Sequence, residues 1–127
     1  MVIKINKLYK KCKTEQELYD AVRGFWTASL KTIKNNKIEY VFGVYNSLIV
    51  AVYKPDEWYV VRENRGNFPR GPLTAEEYAK YKNRVYFSCD DYTFLDAEGK
   101  FYLNKSIALL DVNQKAQNPI TYLLPKK

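Results

Sequence analysis

The sequence predicts an α+β fold, a small mixed or barrel-like β-sheet of six to eight short strands with two short helices. Three observations carry this. Tyr40–Tyr45 and Leu48–Tyr53 are β-branched and aromatic runs flanking Asn46-Ser47, the pattern of a hairpin. Thr14 and Thr74 each stand three residues before a glutamate, Glu17 and Glu77, as in a capping box that opens a helix. The 127 residues, 46% of them hydrophobic, are enough for a single domain over 1–127 that buries its own core.

In chain order, Val2–Leu8 alternates loosely and predicts a first strand. Thr14 then caps a helix over about 14–25, in which Leu18, Ala21, Val22 and Phe25 form one apolar stripe. Gly24 weakens its last turn and lets the backbone approach something closely. A further helical turn is expected within 28–34, and Asn35-Asn36 signals the turn before the hairpin.

In the hairpin, Tyr40, Phe42 and Val44 share one face and Val41, Gly43 and Tyr45 the other. After the turn, Leu48, Val50 and Val52 oppose Ile49, Ala51 and Tyr53. Both faces are largely apolar, so the pair is either central and covered on both sides or part of a closed barrel. Gly43 marks a bulge, a bend or a close approach of a ligand or another backbone.

A break at Lys54-Pro55-Asp56-Glu57 precedes a strand carrying Trp58. Residues 62–72 read as an exposed, mobile loop holding Arg62, Arg65 and Arg70. Thr74 opens a helix to about Lys82, Arg84–Ser88 is a strand, and 90–103 reads as a second hairpin with Gly99 supplying positive φ. Asn118-Pro119 turns into a final strand with Ile120, Tyr122 and Leu124 alternating.

Composition excludes several chemistries. The chain has no histidine, which removes Ser-His-Asp and Cys-His nucleophiles and imidazole metal sites. No phosphate-binding glycine loop or paired CxxC is present, and Cys12 and Cys89 read as reduced thiols. The adjacent carboxylates Asp90-Asp91 would point to opposite faces of a strand and make a poor metal clamp. The expectation is a protein that is not an enzyme and needs no cofactor. No apolar run approaches the roughly 20 residues of a membrane span, and the start of the chain lacks a signal-peptide pattern. A cytoplasmic location away from the membrane is therefore expected.

Charge and aromatics point to a polyanion. The net charge is +7, and residues 1–54 hold ten Lys/Arg against four Asp/Glu, led by Lys4, Lys7, Lys10, Lys11 and Lys13. Such a basic half attracts nucleic acid by counterion release. Twelve tyrosines and two tryptophans supply rings on which unpaired bases stack. In Arg23-Gly24-Phe25-Trp26, Phe25 and Trp26 either plug the helix onto the sheet with Arg23 at the negative end of its dipole, or the Arg and Trp take an anion and a stacked ring together.

The order of these features resembles a small bacterial and phage domain sometimes found beside nuclease or restriction modules. In build it is similar to the PUA-like group, which includes the EVE, ASCH and YTH domains. The residues that carry the resemblance are Arg23, Gly24, Trp26, Tyr40–Tyr45, Ile49–Tyr53, Trp58, Phe68, Gly71 and Gln117–Tyr122. It departs in having Asn46-Ser47 where a glycine-containing turn is expected, and in the extra segment 88–104. The resemblance implies a barrel-like domain that holds a base, often a modified one, in an aromatic pocket. The nucleic-acid-binding residues expected on the two grounds together are Arg23, Trp26, Tyr45, Tyr53, Trp58, Arg65 and Asn118. The expected partner is nucleic acid with an unpaired or modified base; the alternative is a protein-docking module of a phage or mobile element.

Overall fold

The computed structural model describes residues 1–63, 68–69, 71–110 and 120–122. Among these, seven short strands form a four-stranded and a three-stranded sheet, and five α-helices and a 3-10 turn connect and cover them. The fold is α+β, with more helices than the two expected. The sheets do not close into a barrel.

The first strand, β1 (Val2–Lys4), is shorter than the alternation suggested, because the chain turns at once into α1 (Asn6–Tyr9). Helix α2 (Glu15–Arg23) starts where its cap predicts, with the Thr14 hydroxyl accepting from the Glu17 amide at 3.1 Å. It ends two residues earlier than expected, since Gly24 begins β2 (Gly24–Trp26). A Cβ at Gly24 would lie 2.5 Å from Tyr86 Cβ, so the strand can approach its neighbour only with glycine there. Helix α3 (Leu30–Asn35) follows, capped by Ser29.

The hairpin is formed by β3 (Val41–Tyr45) and β4 (Leu48–Tyr53). Its turn residues Asn46 and Ser47 both have positive φ, 48° and 65°, the geometry of a tight hairpin turn whose twist matches the strands. The register shifts after Gly43↔Ala51 to Val44↔Ile49, so Val50 is an extra residue and β4 is bulged. The bulge corrects the simple alternation: Ile49 and Val52 share one core with Phe42 and Val44, while Ala51 and Tyr53 join Val41 on the other side.

β1 runs parallel to β3 and antiparallel to β7 (Ile120–Thr121), giving the sheet order β4-β3-β1-β7. The second sheet has the order β2-β6-β5, from β5 (Glu57–Val60) and β6 (Val85–Ser88). One core joins the sheets and α2, holding Ile3, Val22, Val41, Val85 and Phe87. A Cβ on Gly43 would lie 2.8 Å from Val22 Cγ2, so the space left by this glycine is filled by a helix and not by a ligand.

Helix α4 (Ala75–Tyr81) has the full capping box of Thr74 and Glu77. The second hairpin is not formed. Residues 97–102 make a helix, α5 (Ala97–Tyr102), because the Asp96 carboxylate accepts from the Gly99 amide at 2.8 Å and caps it. Together with the 3-10 turn Ile107–Leu109, α5 covers the outer face of β4. In the segment after β5, the described residue Phe68 is not exposed but buried against Phe25 and Tyr86.

Candidate nucleic-acid interface

Trp26 ends β2, the edge strand of one sheet, and Tyr122 follows β7, the edge strand of the other. An open groove of about 560 Å³ lies there, lined by Phe25, Trp26, Thr27, Ser29, Arg84 and Tyr122 among others. The indole Nε1 donates to the Val22 carbonyl at 2.8 Å. That bond fixes the ring and uses its sole donor, so Trp26 offers a ligand its face. Trp26, Arg84 and Tyr122 are all half-buried. The Arg84 guanidinium rests over the Tyr81 ring at 5.5 Å and makes no ion pair among the described residues. Exposed hydroxyls of Thr27, Ser29 and Thr32 add neutral donors and acceptors, and α3 carries the exposed Lys31 and Lys34. A planar ring, polar edges and an anion all find partners in such a groove.

A second basic and aromatic area surrounds the end of the hairpin. Tyr45 stacks on Tyr9 with ring centroids 4.7 Å apart. The Asn6 side chain accepts from the Asn46 amide at 3.1 Å and ties α1 to the turn. Lys7, Lys10, Lys11 and Lys13, on and just after α1, are exposed and unpaired among the described residues.

The remaining expected site residues are placed differently. Arg23 is 2% exposed: its Nε donates to the Phe87 carbonyl at 2.9 Å, Asp20 lies 3.5 Å away, and the guanidinium sits over the Tyr19 ring. It is a core cation and does not face a phosphate. Tyr53 is buried beside Tyr19, with burial raising its phenol pKa. Trp58 packs on Phe87 at 5.1 Å and is absent from the Trp26 groove, so the two tryptophans do not converge. Arg65 and Asn118 lie outside the described residues. A single arginine at the start of a strand, as at Arg84, carries no signal, and Tyr122 belongs to an alternating strand and to the resemblance without standing out as a site residue.

No group of three His, Cys, Asp or Glu side chains suited to a metal occurs among the described residues. Both cysteines are free, and burial pushes the Cys89 thiol up to about 11, far from the thiolate a nucleophile needs. Asp90 and Asp91 follow the end of β6 rather than sitting within a strand. No helix among the described residues is long and apolar enough to cross a membrane. The chain matches no family model, no curated protein and no solved structure.

Proposed function

We propose that this protein is a non-catalytic nucleic-acid-binding module that holds an unpaired or modified base in the Trp26 groove. The observation that carries the reading is the joint placement of Trp26, Tyr122 and Arg84 around one open groove. A base stacks on the indole, its flanking phosphate meets Arg84, and the lysines of α1 and α3 supply long-range attraction to the strand. A duplex keeps its bases stacked inside and presents nothing for the indole to grip. The reading agrees with what a PUA-like build implies, a base held between aromatic walls.

Fluorescence anisotropy with single-stranded and duplex oligonucleotides tests it. Single strands bind more tightly, with an affinity that falls as salt rises. Trp26→Ala weakens binding by roughly 1–3 kcal/mol, about five- to 150-fold, at an unchanged far-UV spectrum. Absence of binding at low salt, or full binding by a folded Trp26→Ala variant, removes the proposal.

The protein-docking alternative draws on Phe94, Phe101 and Leu109, which are 70%, 57% and 52% exposed. It gains if Phe101→Ser abolishes capture of a partner while oligonucleotides never bind.

A further inference from the structure

We propose that the basic face of α1, beside the hairpin turn, grips the phosphate backbone of the strand whose unpaired base lies in the Trp26 groove. The inference rests on that reading of the groove and adds a minimum length to its ligand. Residues 1–14 hold five lysines and no Asp or Glu. Of these, Lys7, Lys10 and Lys11 stand at i, i+3 and i+4, which a helical segment puts on one face. The chain is helical that far. Lys10 has α-helical φ and ψ, and the Lys11 amide donates to the Leu8 carbonyl at 3.0 Å.

The opposite side of the segment is the one that packs. Ile5 is buried, the Tyr9 ring stacks on Tyr45, and the Cys12 thiol donates to the Leu8 and Glu17 carbonyls. The Asn46 amide donates to the Asn6 side chain, which holds α1 against the turn. The three lysines are thus side by side on exposed positions, and none makes an ion pair among the described residues. Glu15 and Glu17 follow in α2, and Glu17 is engaged by the Thr14 hydroxyl at 3.2 Å. Like charges at this spacing repel, and a ligand with a row of negative charges removes the repulsion. Each lysine is a point charge without a planar fork, so the face holds phosphates and reads no base.

The fold sets this face apart from the groove. β1 pairs Val2 with Thr121, so Tyr122 lies at the start of β1, while α1 follows its end. By the other route, α2 starts two residues after Lys13 and ends three before Trp26. Its nine residues rise roughly 13 Å at about 1.5 Å each. That separation equals about four nucleotides at the roughly 3.4 Å spacing of a stacked strand. A dinucleotide in the groove stops short of the lysines, and a strand longer than about four nucleotides reaches both.

Lysine acetylation of the full chain, mapped by mass spectrometry, tests this with a dinucleotide and a single strand of about 12 nucleotides. The longer strand protects Lys7, Lys10 and Lys11, and the dinucleotide leaves them as reactive as in the free protein. A variant combining Lys7→Gln, Lys10→Gln and Lys11→Gln keeps good helix formers at exposed positions. For the longer strand, its slope of log affinity against log salt is shallower by about 2, at about 0.7 per phosphate contact. Unprotected lysines under the bound longer strand, or a wild-type slope in the folded triple variant, overturns the inference and leaves the groove reading standing. No binding of either oligonucleotide removes both. Protection by phosphatidylserine vesicles and not by the longer strand assigns the face to a membrane surface and overturns the inference as well.

Discussion

A methyl group added at position 43 meets Val22 Cγ2 at 2.8 Å and Ala51 Cβ at 3.3 Å. Both neighbours are buried, on a helix and a strand that pack together, so neither yields freely. Gly43→Ala is therefore expected to destabilise the protein by about 1–3 kcal/mol, read as a lower urea midpoint at unchanged slope. Val22→Ala in the same chain removes the clash and recovers part of the loss. A Gly43→Ala midpoint equal to wild type would contradict the close approach of α2 to β3. Arg23 illustrates the opposite outcome of local reading. Beside Gly24 and Trp26 it has the look of an exposed helix end, yet Phe87, 64 residues onward, covers it and accepts its Nε hydrogen bond. Nothing within a short window of sequence carries that information.

The hairpin turn places two non-glycine residues in the left-handed region. Asn tolerates that region and Ser does so at a cost of roughly 1 kcal/mol, which makes position 47 the weaker half of the turn. Ser47→Gly is expected to raise stability by about 0.5–1 kcal/mol without moving the strands, because the Ser47 carbonyl that accepts from Ile107 is retained. Thermal denaturation measures it, and a lower midpoint would count against the turn geometry. Elements of this kind were legible because their signals are local: Thr14 and Thr74 cap the helices they announce, and the two β-prone runs pair with each other. Gly99 reads locally as a turn residue, but Asp96 three positions earlier has the chemistry of a cap, and the cap decides for helix α5. The bulge at Val50 and the parallel pairing of β1 with β3 depend on partners distant in sequence. The candidate groove was half legible: Trp26 stood out, and Arg84 and Tyr122 join it only when β2 and β7 bring two sheet edges together.

Across the whole molecule, the tyrosines link the cores to the surface and make stability depend on alkaline pH. Of the twelve tyrosines, Tyr19, Tyr53, Tyr86 and Tyr122 have phenol pKa values raised chiefly by burial. Tyr40 is raised chiefly by donating a 2.7 Å hydrogen bond to the Asp96 carboxylate, which caps α5. Each of these phenols loses its proton less readily folded than unfolded, where the ordinary value is about 10. Their contribution is thus fully present below pH 10 and is lost as the pH rises through the folded values. From the tyrosines the urea midpoint should fall steeply above about pH 9. Phenolate absorbance of the native protein should include a component that develops only as unfolding begins. Tyr53→Phe removes one such group from the core that joins the two sheets, so its stability should decline less between pH 10 and 12 than that of wild type. Parallel decline of the two proteins over that range would mean that the burial of Tyr53 does not restrain its ionisation.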